Sequence, residues 1–216
     1  MVSLSALKTD APKSRTRRVT MSATATSTPV ASAAPIAPAT TTTWEFDPAH
    51  SSAGFRVRHL MVARVRGHLG PISGRVELNE QDPSRSRVEV TIDARGIDTR
   101  EPKRDEHLRS ADFLDVANHP NVTFVSTAVK LRRDGGLDVA GNLTIRGTTR
   151  PVTLEVEALE SAVTDPWGNT KRGAVGRTSI NRKDFGLSWN VALEAGGVMV
   201  GEQVEIEIEV ELVQKK

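Results

Sequence analysis

The chain predicts an all-β fold, and three observations carry that expectation. Apolar and polar residues alternate through most of residues 44–216. Turn dipeptides built from Gly, Pro and Asp recur between the alternating runs. One non-alternating segment, 104–124, interrupts them. A run of period two is apolar on a single face. About eight antiparallel runs of this kind must close that face away from water, in a sandwich or an up-and-down barrel. Pattern alone does not choose between the two.

Trp44-Glu-Phe46 alternates briefly before the turn at Asp47-Pro48. Phe55, Val57 and His59 then share one face, with Arg56 and Arg58 on the other, until Gly67 and Gly70-Pro71 break the run. Val76 and Leu78 oppose Arg75 and Glu77, and Asp82-Pro83 turns the chain. Val88, Val90 and Ile92 alternate with Glu89, Thr91 and Asp93.

Segment 104–124 reads as a short helix. Pro102 suits a first helical position, where no N–H is needed, and Asp98 and Thr99 are placed to cap from upstream. Leu108, Ala111 and Leu114 recur every three residues, Ser110 is placed to recap a second turn, and His119-Pro120 ends it. From Asn121 the period returns to two, with Val122 and Phe124 on one face.

Gly135-Gly136 turns into Leu137, Val139, Leu143 and Ile145, and residues 147–151 turn again. Val152, Leu154, Val156 and Ala158 form the next apolar face, and Asp165-Pro-Trp-Gly168 is a further turn. The clearest strand is the last. Val204, Ile206, Ile208, Val210 and Leu212 alternate without fault with Glu205, Glu207, Glu209 and Glu211.

Five motifs stand in order: Asp47-Pro-Ala-His-Ser51; Phe55-Arg-Val-Arg-His-Leu60 with Val65-Arg-Gly67; segment 104–124; Gly141-Asn-Leu-Thr-Ile-Arg-Gly147; and Asn181-Arg-Lys-Asp-Phe-Gly186. Together they resemble the signature of the YceI family, the polyisoprenoid-binding, lipocalin-like YceI proteins. Any one alone is weak, but five in order are specific. The resemblance implies an eight-stranded antiparallel lipocalin-like β-barrel with a short helical segment between strands. It spans residue 44 to the C-terminus and leaves 1–43 uncovered.

Composition agrees with one domain. All three Trp and all five Phe lie at or after residue 44. Residues 1–43 are Ala, Ser, Thr and Pro with five bases and one acid, and are expected to form a disordered basic tail. The domain then holds 24 bases against 26 acids, so the net +2 of the chain belongs to the tail. No like-charge run suits phosphate tracking, so no nucleic-acid partner is expected. Nothing approaches the ~18 apolar residues of a membrane span, and no stable membrane insertion is expected. Thr16-Arg-Arg-Val-Thr-Met21 faintly resembles a twin-arginine export signal. Cytoplasmic residence is the expectation, with the periplasm as the alternative if that signal is real. Barrel edges or the barrel mouth would allow a homodimer.

No enzyme signature survives inspection. Asp47, His50 and Ser51 resemble triad components, yet neighbours on a strand point to opposite faces. His50, His59 and His68 are nine apart, an odd spacing that also flips the face, and no zinc spacing occurs. With no cysteine, disulfides, thiolate ligands and a Cys nucleophile are all excluded. Neither a metal nor a cofactor is expected.

The interior remains. Its inward set is mostly Val, Ile and Leu, with few aromatics and no tyrosine, which leaves more lumen than a Phe-rich filling. At ~0.8 kcal/mol per buried CH₂, one five-carbon isoprene unit contributes roughly 3–4 kcal/mol gross. A few units outweigh the several kcal/mol lost on immobilising a chain. The family resemblance implies a polyisoprenoid, such as a polyprenyl phosphate or isoprenoid quinone, bound or carried without turnover. Phe55, Val57, Val90, Ile92, Leu108, Phe113, Phe124 and Phe185 are the expected lining. Arg104, Asp105, His107 and Arg182 are placed at the mouth, where Arg suits a pyrophosphate or carbonyl head. The alternative for Arg104, Asp105 and Arg182 is an ion-pair network pinning helix to barrel. Two further functions compete: an enzyme acting on such lipids through His107 or His50, and a stress-related barrel with a filled core.

Overall fold

The last strand organises the barrel. A computed structural model describes residues 40–194 and 196–216. Eleven strands lie in one antiparallel sheet: β1 (Thr41–Phe46), β2 (Ser52–His59), β3 (Ala63–His68), β4 (Ile72–Asn79), β5 (Arg87–Asp93), β6 (Asn121–Leu131), β7 (Leu137–Ile145), β8 (Thr148–Val156), β9 (Val163–Thr164), β10 (Thr170–Asn181) and β11 (Val200–Gln214). The order β11-β1-β4-β5-β6-β7-β8-β10 closes through a further β10–β11 pairing. The result is an eight-stranded closed barrel, with β2, β3 and β9 outside the ring. The expected disordered tail lies outside the described residues up to position 39, and β1 opens three residues ahead of Trp44.

β11 is long because it serves three neighbours. One side pairs with β10 from Lys171–Val213 to Asn181–Gln203. The other pairs first with β2, as far as Ser52–Glu209, and then with β1 from Phe46–Leu212. The change of partner is made by the Asp47-Pro-Ala-His-Ser51 motif. Asp47 N–H donates to the Glu211 carbonyl at 2.8 Å. Glu211 N–H donates to Ser51 Oγ at 3.2 Å. Asp47 also accepts from Ala49 N–H at 3.0 Å and lies 2.9 Å from His50 Nδ1. Asp, His and Ser here stitch a seam.

Two glycine positions of the fourth motif have distinct causes. Gly147 (φ +71°) follows Arg146 (φ +49°) in a two-residue hairpin between Ile145 and Thr148, tighter than the expected turn over 147–151. Gly141 makes room for an aromatic ring: a Cβ there would stand 2.4 Å from Phe124 Cζ and 2.6 Å from the Val125 carbonyl oxygen. Gly141→Ala is therefore expected to lower unfolding stability by about 1–3 kcal/mol, as overpacking does. A urea midpoint equal to that of the native chain would refute this.

The helix differs from its expected form. α1 covers Pro102–Arg109 and is capped by Glu101, whose carboxylate faces Lys103 N–H, rather than by Asp98 or Thr99. Asp98 instead accepts from Arg100 N–H at 2.7 Å. Ser110 ends the helix where a second turn was expected, Ala111 is exposed, and turns run on to β6. Arg109 anchors α1 by donating to the carbonyls of Arg95 and Ile97 at 2.8 and 2.7 Å.

Candidate functional site

Inward side chains alternate along each ring strand and do not fill the barrel. Two apolar chambers follow one another along the strands. The first, about 120 Å³, lies under α1 and takes Val200, Val204, Ile206 and Ile208 from β11. The second, about 80 Å³, takes Ile208, Val210 and Leu212 from the same strand. Val90 of β5, Leu154 of β8 and Ile208 of β11 belong to both linings and form a waist between them.

Nine of the twelve residues expected to bind ligand line the first chamber: Phe55, Val57, Val90, Ile92, Leu108, Phe113, Phe124, Arg182 and Phe185. The other three do not. Arg104 donates to Thr99 Oγ1 at 2.7 Å and to the Thr99 carbonyl at 2.9 Å. Asp105, buried, accepts from Thr99 N–H at 2.9 Å and from its hydroxyl. Both residues thus fold the loop ahead of α1 back onto the helix. His107 Nε2 lies 2.9 Å from Asp112, and its ring packs edge-on to Phe113 and Trp189 at 5.0 and 4.7 Å. It forms part of an aromatic cover over Phe113.

Arg182 is the one charged side chain in the first lining. The Asn181-Arg-Lys-Asp-Phe-Gly186 motif places it. Asn181 caps a 3₁₀ turn (Arg182–Phe185) through Lys183 N–H at 3.0 Å, and Gly186 (φ +77°) closes it. The guanidinium then donates to the carbonyls of Leu187, Gly201 (2.9 Å), Trp189 (2.9 Å) and Val200 (3.3 Å). Burial pulls its pKa below the usual arginine value, against the opposite pull of Glu202. Its bonds go to backbone, so neither an ion pair with Asp105 nor one through Arg104 joins helix to barrel among the described residues.

The ring is weakest between β8 and β10. These strands pair only at Gly176–Val156 and Arg177–Glu155, then part. A recess of about 800 Å³ opens where Arg150–Thr153 faces Thr178–Asn181. Val152, Thr178, Ile180, Phe185 and Ile206 line both this recess and the first chamber. Polar groups thus flank the apolar lumen at a side slot as well as at Arg182. Sequence reading missed the slot and all of β10. Inward positions Gly176 and Thr178 carry no apolar signal, and their small size helps leave the lumen open.

Asp47, His50 and Glu211 bring three ligand-capable atoms within 4.8 Å. Lys171 Nζ already stands 2.6 Å from Glu211 and 3.6 Å from Asp47, which makes the cluster an ion network at the seam. The His50 hydrogen bond, then the Ala49 N–H, hold the Asp47 carboxyl down at about 2. A depressed carboxylate stabilises the fold above its unfolded pKa, and that contribution is lost as pH falls through the folded value. Asp47→Asn is therefore expected to lower the urea midpoint at pH 6, with the gap to the native chain closing between about pH 4 and about pH 2. A gap independent of pH would refute the assignment.

Comparison with known proteins follows the same outline. The YceI-like domain model matches residues 44–212. The chain belongs to the YceI family. Protein YceI of Salmonella newport is 40% identical over 167 residues, covering 77% of this chain and 83% of that protein. Among solved structures, BcnA of Burkholderia cenocepacia superposes with TM-score 0.64 at 21% identity, over 77% of this chain and 98% of that one. A polyisoprenoid binding domain from Saccharophagus degradans superposes with TM-score 0.57 at 14% identity, over 82% of this chain and 100% of that one. These two likenesses concern the fold. In YceI terms, the opening Asp-x-x-His-Ser motif is the seam of β11, and the late Asn-Arg-x-Asp-Phe-Gly motif is the arginine clamp.

Proposed function

We propose that this YceI-family protein binds and carries one elongated apolar molecule, with a polyisoprenoid such as a polyprenyl phosphate or isoprenoid quinone as its ligand. The observation that carries this reading is the pair of consecutive apolar chambers that share Val90, Leu154 and Ile208 in their linings. A guest in them gains burial at ~0.8 kcal/mol per CH₂. An apolar cavity of about 150 Å³ accepts one benzene, and the two chambers together only somewhat exceed that volume, room for a short apolar segment. A longer chain threads the waist, and its remainder emerges beside the slot between β8 and β10. The Saccharophagus degradans domain, described as polyisoprenoid binding, shares the barrel and supports this choice of ligand.

The reading is non-enzymatic. Supporting it, neither His107, held by Asp112, nor His50, held by Asp47, lines a chamber. A filled stress-related barrel is disfavoured by the two chambers. Organic extraction of the purified chain followed by mass spectrometry is expected to release an isoprenoid, or an emptied chain is expected to take up added polyprenyl phosphate or quinone. A clean protein that ignores both lipids overturns the proposal. Product formation lost in His107→Ala or His50→Ala would favour an enzyme instead.

A further inference from the structure

The hairpin of β2 and β3 is not one of the eight ring strands, yet β2 pairs with β11 and turns Phe55 and Val57 into the first chamber; barrel closure does not account for the opposite, outer face. Arg56 stands directly across from Arg66, and Arg58 across from Arg64. Like charges placed opposite each other across two strands are destabilising. Only Arg56 is compensated, by Glu205 at 3.1 Å. Arg58, Arg64 and Arg66 are exposed and form no ion pair among the described residues. Arg58 makes only a long contact, 3.4 Å, to the Met61 carbonyl.

The tip is equally unusual. Leu60 (φ +49°) and Met61 (φ +60°) adopt left-handed backbone in the hairpin turn, where Asn or Gly would fit without strain. Leu60, Met61 and Val62 are 38%, 50% and 85% exposed, and nearby Val191 is 42% exposed. Leu60 N–H donates to the Met199 carbonyl at 2.8 Å, which fixes the tip one residue from Val200 in the lining of the first chamber. An apolar tip behind an uncompensated arginine collar matches a surface of anionic head groups over acyl chains.

We infer that the Leu60–Val62 tip and the Arg58, Arg64 and Arg66 collar dock the barrel on an anionic phospholipid bilayer, with the chamber end facing the membrane. The tip sits at head-group depth and the guanidinium groups pair with lipid phosphates. A nucleic-acid partner would leave the aliphatic tip unused, because Leu60, Met61 and Val62 offer no ring to stack on a base. The inference is independent of what the chambers hold, since docking needs no guest.

Flotation of the full chain with vesicles of phosphatidylcholine, alone or mixed with phosphatidylglycerol, tests it. The native chain is expected to float with the mixed vesicles only, and to dissociate as salt is raised. Each surface arginine contributes about fivefold in partitioning, so Arg64→Gln with Arg66→Gln should weaken binding on the order of 20-fold. Met61→Asp and Val62→Asp should release the protein with melting temperature unchanged. Equal binding to neutral vesicles overturns the inference. So does unchanged flotation of all the hairpin variants, which would assign binding to another surface such as the basic residues before position 19. Binding to duplex DNA or RNA that is lost with the arginines but indifferent to Met61 and Val62 would make nucleic acid the partner.

Discussion

Arg182→Ala is expected to lower the melting temperature by roughly 6–20 °C. Arg182 is 4% exposed and donates to the carbonyls of Leu187, Trp189, Val200 and Gly201. Removing one guanidinium takes the side-chain donor from the buried Leu187 carbonyl and from the half-buried carbonyls of Trp189 and Gly201, while Val200 keeps Asn190 Nδ2 at 2.7 Å; each lost partner is worth about 1–3 kcal/mol. A total of about 3–5 kcal/mol translates at about 2–4 °C per kcal/mol in a chain of this size. Arg182→Lys should recover less than half, because one ammonium cannot reproduce a planar fork reaching four carbonyls. Calorimetry of the three proteins decides the matter. A shift of only a few degrees for alanine would mean that the lining is held by packing alone.

Leu154→Trp is expected to weaken binding of a polyprenyl phosphate by two to three orders of magnitude while the fold persists. Leu154 lines both chambers, so a larger ring there blocks the waist and confines the guest to the first. Excluding one five-carbon unit forfeits roughly 3–4 kcal/mol of burial. The accompanying overpacking, about 1–3 kcal/mol, is felt as a modest fall in melting temperature. Ile208→Phe narrows the same waist from β11 and should act in the same direction. Titration calorimetry with unchanged affinity in both variants would show that the bound chain never passes the waist.

Much of this architecture was legible from residue order, for identifiable reasons. β11 was plain because its inner positions are all Val, Ile or Leu and its outer ones Glu over nine residues. The same logic failed for β10, whose inward Ala174, Gly176 and Thr178 look polar or small, and for β3, where Arg64 and Arg66 dominate. The strand lining residues Phe55, Val57, Val90, Ile92 and Phe124 were found because alternation says which side chains point inward. The side slot was not, because it depends on where two strands stop pairing, a property of register that neither strand encodes alone. Arg104 and Asp105 were drawn to the mouth by their charge, but both satisfy Thr99, a partner no periodicity points to.

The three-neighbour strand also dictates when the ring can form. β11 joins β10, β2 and β1, and one of its bonds bridges a separation of 160 residues, Glu211 to Ser51. During synthesis the earlier strands leave the ribosome with no closing member, so the greasy lumen stays open until β11 has emerged. Non-local pairing of this kind folds slowly. Refolding followed by tryptophan fluorescence should therefore lag well behind that of a helical protein of equal length, and the nascent chain has a prolonged interval in which to meet a chaperone.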